Sequence, residues 1–256
     1  MTQLDFIPLR ITEYKPNPRQ TTLHQTGVAL CDDGLRYFVK GMGGEAGVCA
    51  TEWICTSFAK SLNLPVPPVK VLQTPAGALV FGSQAITHCM SDLEASMLLL
   101  NGSGNLNVPS LRNLLSETYA FDQLINNPDR HDHNFLFQRA GLVDGQEIAN
   151  LHIIDFASST ILNENAVGGG LSQGTPTVQY GKKIRKVHGF SVEFARSFLD
   201  RFQKGRALIC DNAMIGLPTE WLSKNARTSL IDRILSPEFG RQIDEVDEGI
   251  RSGAYL

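Results

Sequence analysis

The hydrophobic pattern changes character about a third of the way along the chain, and this change restricts the fold more than any other feature. Before about residue 85 the apolar residues come in short runs separated by turn residues; beyond it they recur at helical spacing. In TTLHQTGVALCDDGLRYFVK (21–40) two β-rich runs flank Asp32, Asp33 and Gly34, a hairpin signal, and the second run ends on Lys40. GMGGEAGVCA then reads as a glycine-rich loop. In TEWICTSFAKSLNL, Trp53, Ile54, Cys55, Phe58 and Leu62 repeat as on a helix, which Pro65, Pro67 and Pro68 stop. VKVLQ and ALVFGS flank a Pro-Ala-Gly turn and predict a second hairpin.

Farther on, SLRNLLSETYAFDQLIN places Leu111, Leu114, Leu115, Phe121, Leu124 and Ile125 on one face of a core helix, with Ser110 as its expected cap. The polar string NNPDRHDHN follows. NFLFQ and LHIIDF, on either side of a turn with Asp144 and Gly145, then predict another hairpin. Residues 163–177 are rich in Gly, Ser, Thr and Asn and read as a mobile loop. From about 190 three helical patterns dominate, led by VEFARSFLDRF and EWLSKNARTSLIDRIL, and no internal repeat is visible. The expectation is an α+β chain of two lobes: residues 1–85, β-rich with one helix, and residues 86–256, mainly helical.

Composition serves chiefly to exclude. With 42% hydrophobic and 19% charged residues in 256, the chain can bury a core and is not disordered. Its net charge of -3 disfavours nucleic acid as the main partner. The five cysteines contain no pair at the two-residue spacing of zinc or redox sites, which fits a reducing compartment. The start MTQLDFIPLR lacks a signal-peptide pattern and no run approaches the ~18 apolar residues of a membrane span. The protein is therefore read as soluble and cytoplasmic, with no membrane partner.

Chemistry concentrates in Asp129, Arg130, His131, Asp132 and His133, closed by Asn134. If Asn134 opens one strand of the following hairpin and Asp155 closes the other, antiparallel pairing brings both to the same end. An amide oxygen and a carboxylate there are hard ligands suited to Mg²⁺. Asp129 would face the same place, able to orient and deprotonate an attacking hydroxyl. Lys40, at the end of the strand YFVK, supplies a cation for phosphate, with Glu52 as its partner.

The strings YFVKG, TEWICTSFAKSLNLPVPP, AFDQLINNPDRHDHNFLF and LHIIDFA, spread over about residues 20 to 160, resemble the HipA-like kinases, in particular the short bacterial members with a protein-kinase-like fold. The resemblance implies ATP-dependent phosphorylation of Ser or Thr on proteins. It implies Asp129 as catalytic base, Asn134 and Asp155 as Mg²⁺ ligands, Lys40 on the α- and β-phosphates, and Glu52 as its helix partner. By the same carry-over His131 lies near the phosphates, the loop with His24, Gln25 and Thr26 covers them, and Val80 to Ser83, including Phe81, is the hinge that meets adenine. Where many kinases have Asp-Phe-Gly this chain has Asp155, Phe156 and Ala157, which keeps the ligand and removes the glycine. Only some twenty residues precede the first expected hairpin, so control is expected from a separate regulatory or antitoxin-like partner or from internal loops.

Other readings stand beside this one. The site suits an ATP-binding pseudokinase that acts as a regulatory module, or a lipid or small-molecule kinase; Asp-Arg-His-x-x-Asn also resembles phosphoinositide kinases. His131, Asp132 and His133 could be hydrolase metal ligands, although no further His-rich motif follows except His152. GMGGEA satisfies a dinucleotide fingerprint on paper, without the acidic residue expected about twenty residues later. The basic run GKKIRK is either a solvated face or a dock for an acidic substrate or a phosphorylated loop residue, with Ser172, Thr175 and Thr177 as candidate acceptors.

Overall fold

The computed structural model describes residues 7–17, 25–102, 106–163 and 170–255. Both expected N-terminal hairpins form: β2 (Gln25–Cys31) with β3 (Arg36–Lys40), and β4 (Val69–Gln73) with β5 (Leu79–Gln84). A strand not anticipated, β1 (Leu9–Pro16), pairs antiparallel with β2 and parallel with β4, so the sheet closes into a barrel of order β1-β2-β3-β5-β4. In β1 only Ile11 is buried, so the strand carries almost no apolar signal. Ile11, Ala29, Cys31, Tyr37, Val39, Leu72 and Val80 fill the barrel, as side chains must in one this small. Alternation turns Phe38, Lys40, Phe81 and Ser83 to the opposite face.

The first helix, α1 (Ala46–Ser61), starts earlier than expected and absorbs Ala46–Ala50 from the glycine-rich stretch. The loop is thus confined to Gly41–Glu45. Gly41 has φ 86°, and a Cβ there would lie 2.1 Å from Cys49 Sγ, so a side chain is excluded twice over. α1 packs on α5 (Val192–Met214): Phe58 meets Phe202 edge to face at 5.8 Å, and Trp53 Nε1 donates to the Ala213 carbonyl at 3.0 Å. Trp221, 6.2 Å from the Trp53 ring, donates to the Leu79 carbonyl. Residues of α1 and Phe81 consequently share one hydrophobic core with the helices that follow.

Two further helices escape a reading by period. α2 (Asp92–Asn101) is opened by a capping box between Ser91 and Glu94, and α4 (Pro176–His188) by the Thr175 hydroxyl with Pro176 in the first turn. α4 therefore takes in Pro176 and Thr177, the end of the expected loop 163–177; residues 164–169 of that loop lie outside the described residues. The core helix α3 (Leu111–Leu124) is buried on nearly every side of its second half, and Ser110, at φ 57°, makes no side-chain capping bond. α6 (Lys224–Leu235) and α7 (Pro237–Ser252) complete the helical part.

The expected hairpin is β7 (Phe135–Val143) with β8 (Gln146–Ile153), joined through Asp144 and Gly145, both at positive φ; β6 (Leu106–Asn107) adds to β8. Its register pairs Phe135 with Ile153, so the chain on either side, Asn134 and Asp155, emerges at one end. Among the described residues no helix is long and apolar enough to cross a membrane.

Barrel closure makes a specific demand at Gly27. A Cβ there would stand 2.3 Å from the Lys15 carbonyl oxygen of β1, a backbone atom that cannot swing aside. Gly27→Ala is expected to lower unfolding free energy by about 1–3 kcal/mol, as overpacking does, read from the urea midpoint at unchanged m-value.

Candidate active site

The site begins with a lysine that the barrel cannot hold alone. Lys40 is 8% exposed, and burying its ammonium unpaired would be costly. Its Nζ donates to Glu52 Oε1 at 2.5 Å and to Asp155 Oδ1 at 2.7 Å. The two carboxylates arrive from α1 and from the turn after β8. Glu52 also accepts the Phe156 N–H at 2.9 Å, so one buried carboxylate fixes both the lysine and the backbone beyond Asp155. Burial pulls the Lys40 amine down, but Glu52 and Asp155 outweigh it and hold the amine above its ordinary value. Burial raises Asp155, but Lys40 prevails and keeps its carboxyl below the usual range.

A cleft of about 460 Å³ opens beside this group. Lys40, Glu52 and Asp155 form one end; Phe38, Pro67, Val69, Phe81, Leu136 and Ile153 are its apolar walls, with Ser83, Gln84, His131 and His133 as polar lining. Phe81 and Ser83 thus face the cleft. Val80 does not: it is 1% exposed inside the barrel. Val80 to Ser83 is moreover a strand paired on both edges, with β3 and with β4, and the connection toward α2 begins only after Gln84. The hinge assignment is corrected accordingly. Gln25 lies opposite Lys40 in the β2–β3 ladder, Thr26 sits at the irregularity before Gly27, and His24 lies outside the described residues.

The ionisable string forms a loop and one 3₁₀ turn, Asp132–Asn134. Asn134 is 3% exposed, and its Oδ1 accepts the His131 N–H at 3.0 Å. Asp129 is exposed, outside the lining of the cleft, and its Oδ2 accepts from the Ser158 hydroxyl at 3.5 Å. His131 Nδ1 is buried without a hydrogen-bond partner. Burial opposes ionisation of Asp132, yet the Ser96 hydroxyl and the neighbouring histidines bring its carboxyl below the usual value.

The central residue of this loop, Arg130, is not among the expected site residues. Arg130 is 3% exposed; its Nε and Nη2 donate to Asp122 at 2.8 and 3.0 Å, and its Nη1 to the Ile154 carbonyl and, at 3.4 Å, to that of Asn134. Its guanidinium lies over the rings of Phe135 and Phe156 at 5.6 and 4.9 Å. The loop of Asp129 is thereby tied to α3 and to the chain entering Asp155. Thr177 braces the other side: its hydroxyl donates to the Asn127 carbonyl at 2.7 Å and accepts the Arg130 N–H at 2.8 Å. Thr177 is 1% exposed and Thr175 caps α4, so the candidate acceptors among them are structural; Ser172 is exposed.

The donor types suit a divalent cation, with Asp155 lining the cleft and Asn134 buried outside its lining. Asp155 Oδ1 is used by Lys40, its second oxygen is not, and the side chain is 23% exposed toward the cleft. The Asn134 oxygen accepts one bond and retains a lone pair. Both are hard oxygen donors, few in number, as Mg²⁺ prefers. Among the described residues no group of three His, Cys, Asp or Glu side chains converges as a metal cage.

Two outcomes follow. Arg130→Leu leaves the fully buried Asp122 carboxylate unpaired and should cost about 3–5 kcal/mol, while the paired change Arg130→Leu with Asp122→Leu should recover part of it, as urea unfolding would read. The depressed Asp155 carboxyl contributes stability that is fully present above its ordinary value of 3.8 and is lost as pH falls through its folded value. The stability difference between the natural chain and Asp155→Asn should therefore be flat near neutrality and change only on the acid side.

A family model described as HipA-like kinase matches residues 20–165, more than half of the chain. A search of the curated proteins finds no match. Among solved structures, the Helicobacter pylori proinflammatory kinase CtkA superposes with a TM-score of 0.59 at 14% identity, over 96% of this chain and 99% of that one. HipA of Shewanella oneidensis MR-1, solved with HipB and its operator DNA, gives a TM-score of 0.47 at 12% identity, over 83% of this chain and 60% of that one. At such identities the superposition with CtkA speaks to the fold, which is protein-kinase-like, and the sequence match carries the rest: this chain belongs to the HipA-like kinase family.

Proposed function

We propose that the chain transfers the γ-phosphoryl group of ATP to a serine or threonine hydroxyl of a protein, with Mg²⁺ as cofactor. The observation that carries this reading is the buried Lys40 ammonium, shared between Glu52 and Asp155 in a cleft with apolar walls and with Ser83, Gln84, Asp92, His131 and His133 as polar lining. The cleft suits a flat base between Val69, Phe81, Leu136 and Ile153, with Ser83 and Gln84 as polar contacts at its edge. Lys40 has three donors, two of them used to hold it still, and grips the α- and β-phosphates. His131 lines the same cleft and meets the phosphates.

Asp155 and Asn134 hold the metal. When bound, Mg²⁺ neutralises charge developing on the phosphoryl oxygens. Asp129 orients the acceptor and takes its proton. Its contact with the Ser158 hydroxyl is the kind of bond that an incoming Ser or Thr would make. Arg130 acts as a positioning residue, since it fixes the loop of Asp129 against the chain before Asp155 without lining the cleft. The lobe division falls near residue 85, where the chain leaves β5 for α2. A cytoplasmic setting is supported by the five free cysteines, four of them buried. A separate regulatory partner is part of the proposal, resting on family membership.

Incubation of the purified chain with γ-labelled ATP and a lysate tests this. Asp129→Asn should lose about 10²–10⁴-fold in phosphoryl transfer, the usual range for a general base, yet keep the rise in thermal midpoint that ATP and Mg²⁺ produce. Lys40→Met should lose both. Equal labelling by the natural chain and Asp129→Asn would remove Asp129 from its role. A thermal shift with no transfer to any protein would favour the pseudokinase.

A further inference from the structure

The first turn of α4 is buried at Thr177 and Val178; beyond it the helix is buried along one side by Tyr180 and Ile184, and the opposite face is basic. At about 100° per residue Lys182, Lys183, Arg185 and Lys186 fall within one arc of roughly 160°. Lys183, Arg185 and Lys186 are exposed, and among the described residues no carboxylate pairs with them. Lys182 is the exception in being engaged, donating to Gln173 at 2.6 Å. The sequence between Glu164 and Glu193 contains no Asp or Glu, so nothing local neutralises this face. A solvated helix face commonly mixes both signs; this one is of a single sign in a chain whose net charge is -3.

Its position gives the charge a use. The first turn of α4 is bonded directly to the loop that carries Asp129: the Thr177 N–H donates to the Pro128 carbonyl at 3.1 Å, and the Thr177 hydroxyl accepts from Arg130. Lys182 to Lys186 lie five to nine residues beyond Thr177, about 8–14 Å along the axis at 1.5 Å per residue. An extended peptide covers that span in about two to four residues at ~3.3 Å each. We infer that this face selects the acceptor: protein segments with Asp or Glu about two to four residues from the phosphorylated Ser or Thr are the preferred substrates, recognised by Lys183, Arg185 and Lys186. This deepens the kinase reading given above and rests on it. The lysines act at a distance from the reacting atoms, so they affect substrate capture and leave the phosphoryl step alone.

The test is a positional library of Ser- and Thr-centred peptides, labelled with γ-labelled ATP by the natural chain and by the double variant Lys183→Glu, Lys186→Glu. The natural chain should favour Glu over Lys at the stated positions by about five- to tenfold, the size of a few exposed ion pairs, and raised salt should shrink the preference. In the double variant the preference should vanish or reverse through KM, while labelling of a neutral peptide and the thermal shift with ATP and Mg²⁺ stay unchanged. Peptides labelled without acidic preference, or a preference that survives charge reversal, would overturn the inference and leave the kinase reading standing. Charge reversal that abolishes binding of a labelled RNA oligomer and spares the peptide preference would reassign the face to nucleic acid. No labelling of any peptide or lysate protein would overturn the kinase reading and this inference with it.

Discussion

A buried guanidinium holds together the two segments on which the site depends. Arg130 has almost no contact with water, and a charge in that place survives only because Asp122 receives it through two parallel bonds and backbone carbonyls take further donors. The Asp122 carboxylate is itself fully buried and also accepts the Asn127 amide. Neither charge can be satisfied by rearrangement within its own segment. The loop of Asp129 is therefore bound to α3 on one side and to the approach of Asp155 on the other, with the Phe135 and Phe156 rings closing over the guanidinium.

The second constraint links the barrel to this assembly. Lys40 ends β3, Glu52 lies on α1 and Asp155 follows β8, so three remote segments meet at one ammonium. α1 cannot swing freely to break the Lys40 contact, because Trp53 and Phe58 fasten it to α5 and Trp221 fastens the start of β5. Ala157, in place of the glycine many kinases carry, fits the same picture. Asp155 itself takes the left-handed conformation, at φ 63°, and the Phe156 N–H is already held by Glu52. Such a frame holds Lys40, Glu52 and Asp155 in one fixed arrangement.

Much of this could be read from the sequence where a local signal was strong. The three hairpins declared themselves through Asp-Gly or Pro-Ala-Gly turns, and α3, α5, α6 and α7 through their period. β1 did not, because a strand with one buried residue looks like a polar tail until a partner closes the barrel. α4 was hidden by the glycine- and threonine-rich chain before it and by Gly181, which is required because a Cβ there would meet the Tyr119 ring at 2.5 Å. Lys40, Asn134 and Asp155 were legible because they end β3, precede β7 and follow β8, Glu52 because it lies on the helix that follows Lys40, and Asp129 because it opens the densest ionisable string. Arg130 was not, since its partners Asp122, Phe135 and Phe156 become neighbours only once α3 and the β7–β8 hairpin have packed.

The central claim is that Lys40, Asp155, Asn134 and Asp129 surround one nucleotide and its metal. A crystal structure with a non-hydrolysable ATP analogue and Mn²⁺, located by its anomalous signal, tests it most directly. The account predicts the base between Val69, Phe81, Leu136 and Ile153, Lys40 on the α- and β-phosphates, the metal bound by Asp155 and Asn134, and the terminal phosphate directed toward Asp129. A nucleotide bound outside this cleft, or a metal that touches neither Asp155 nor Asn134, would contradict it.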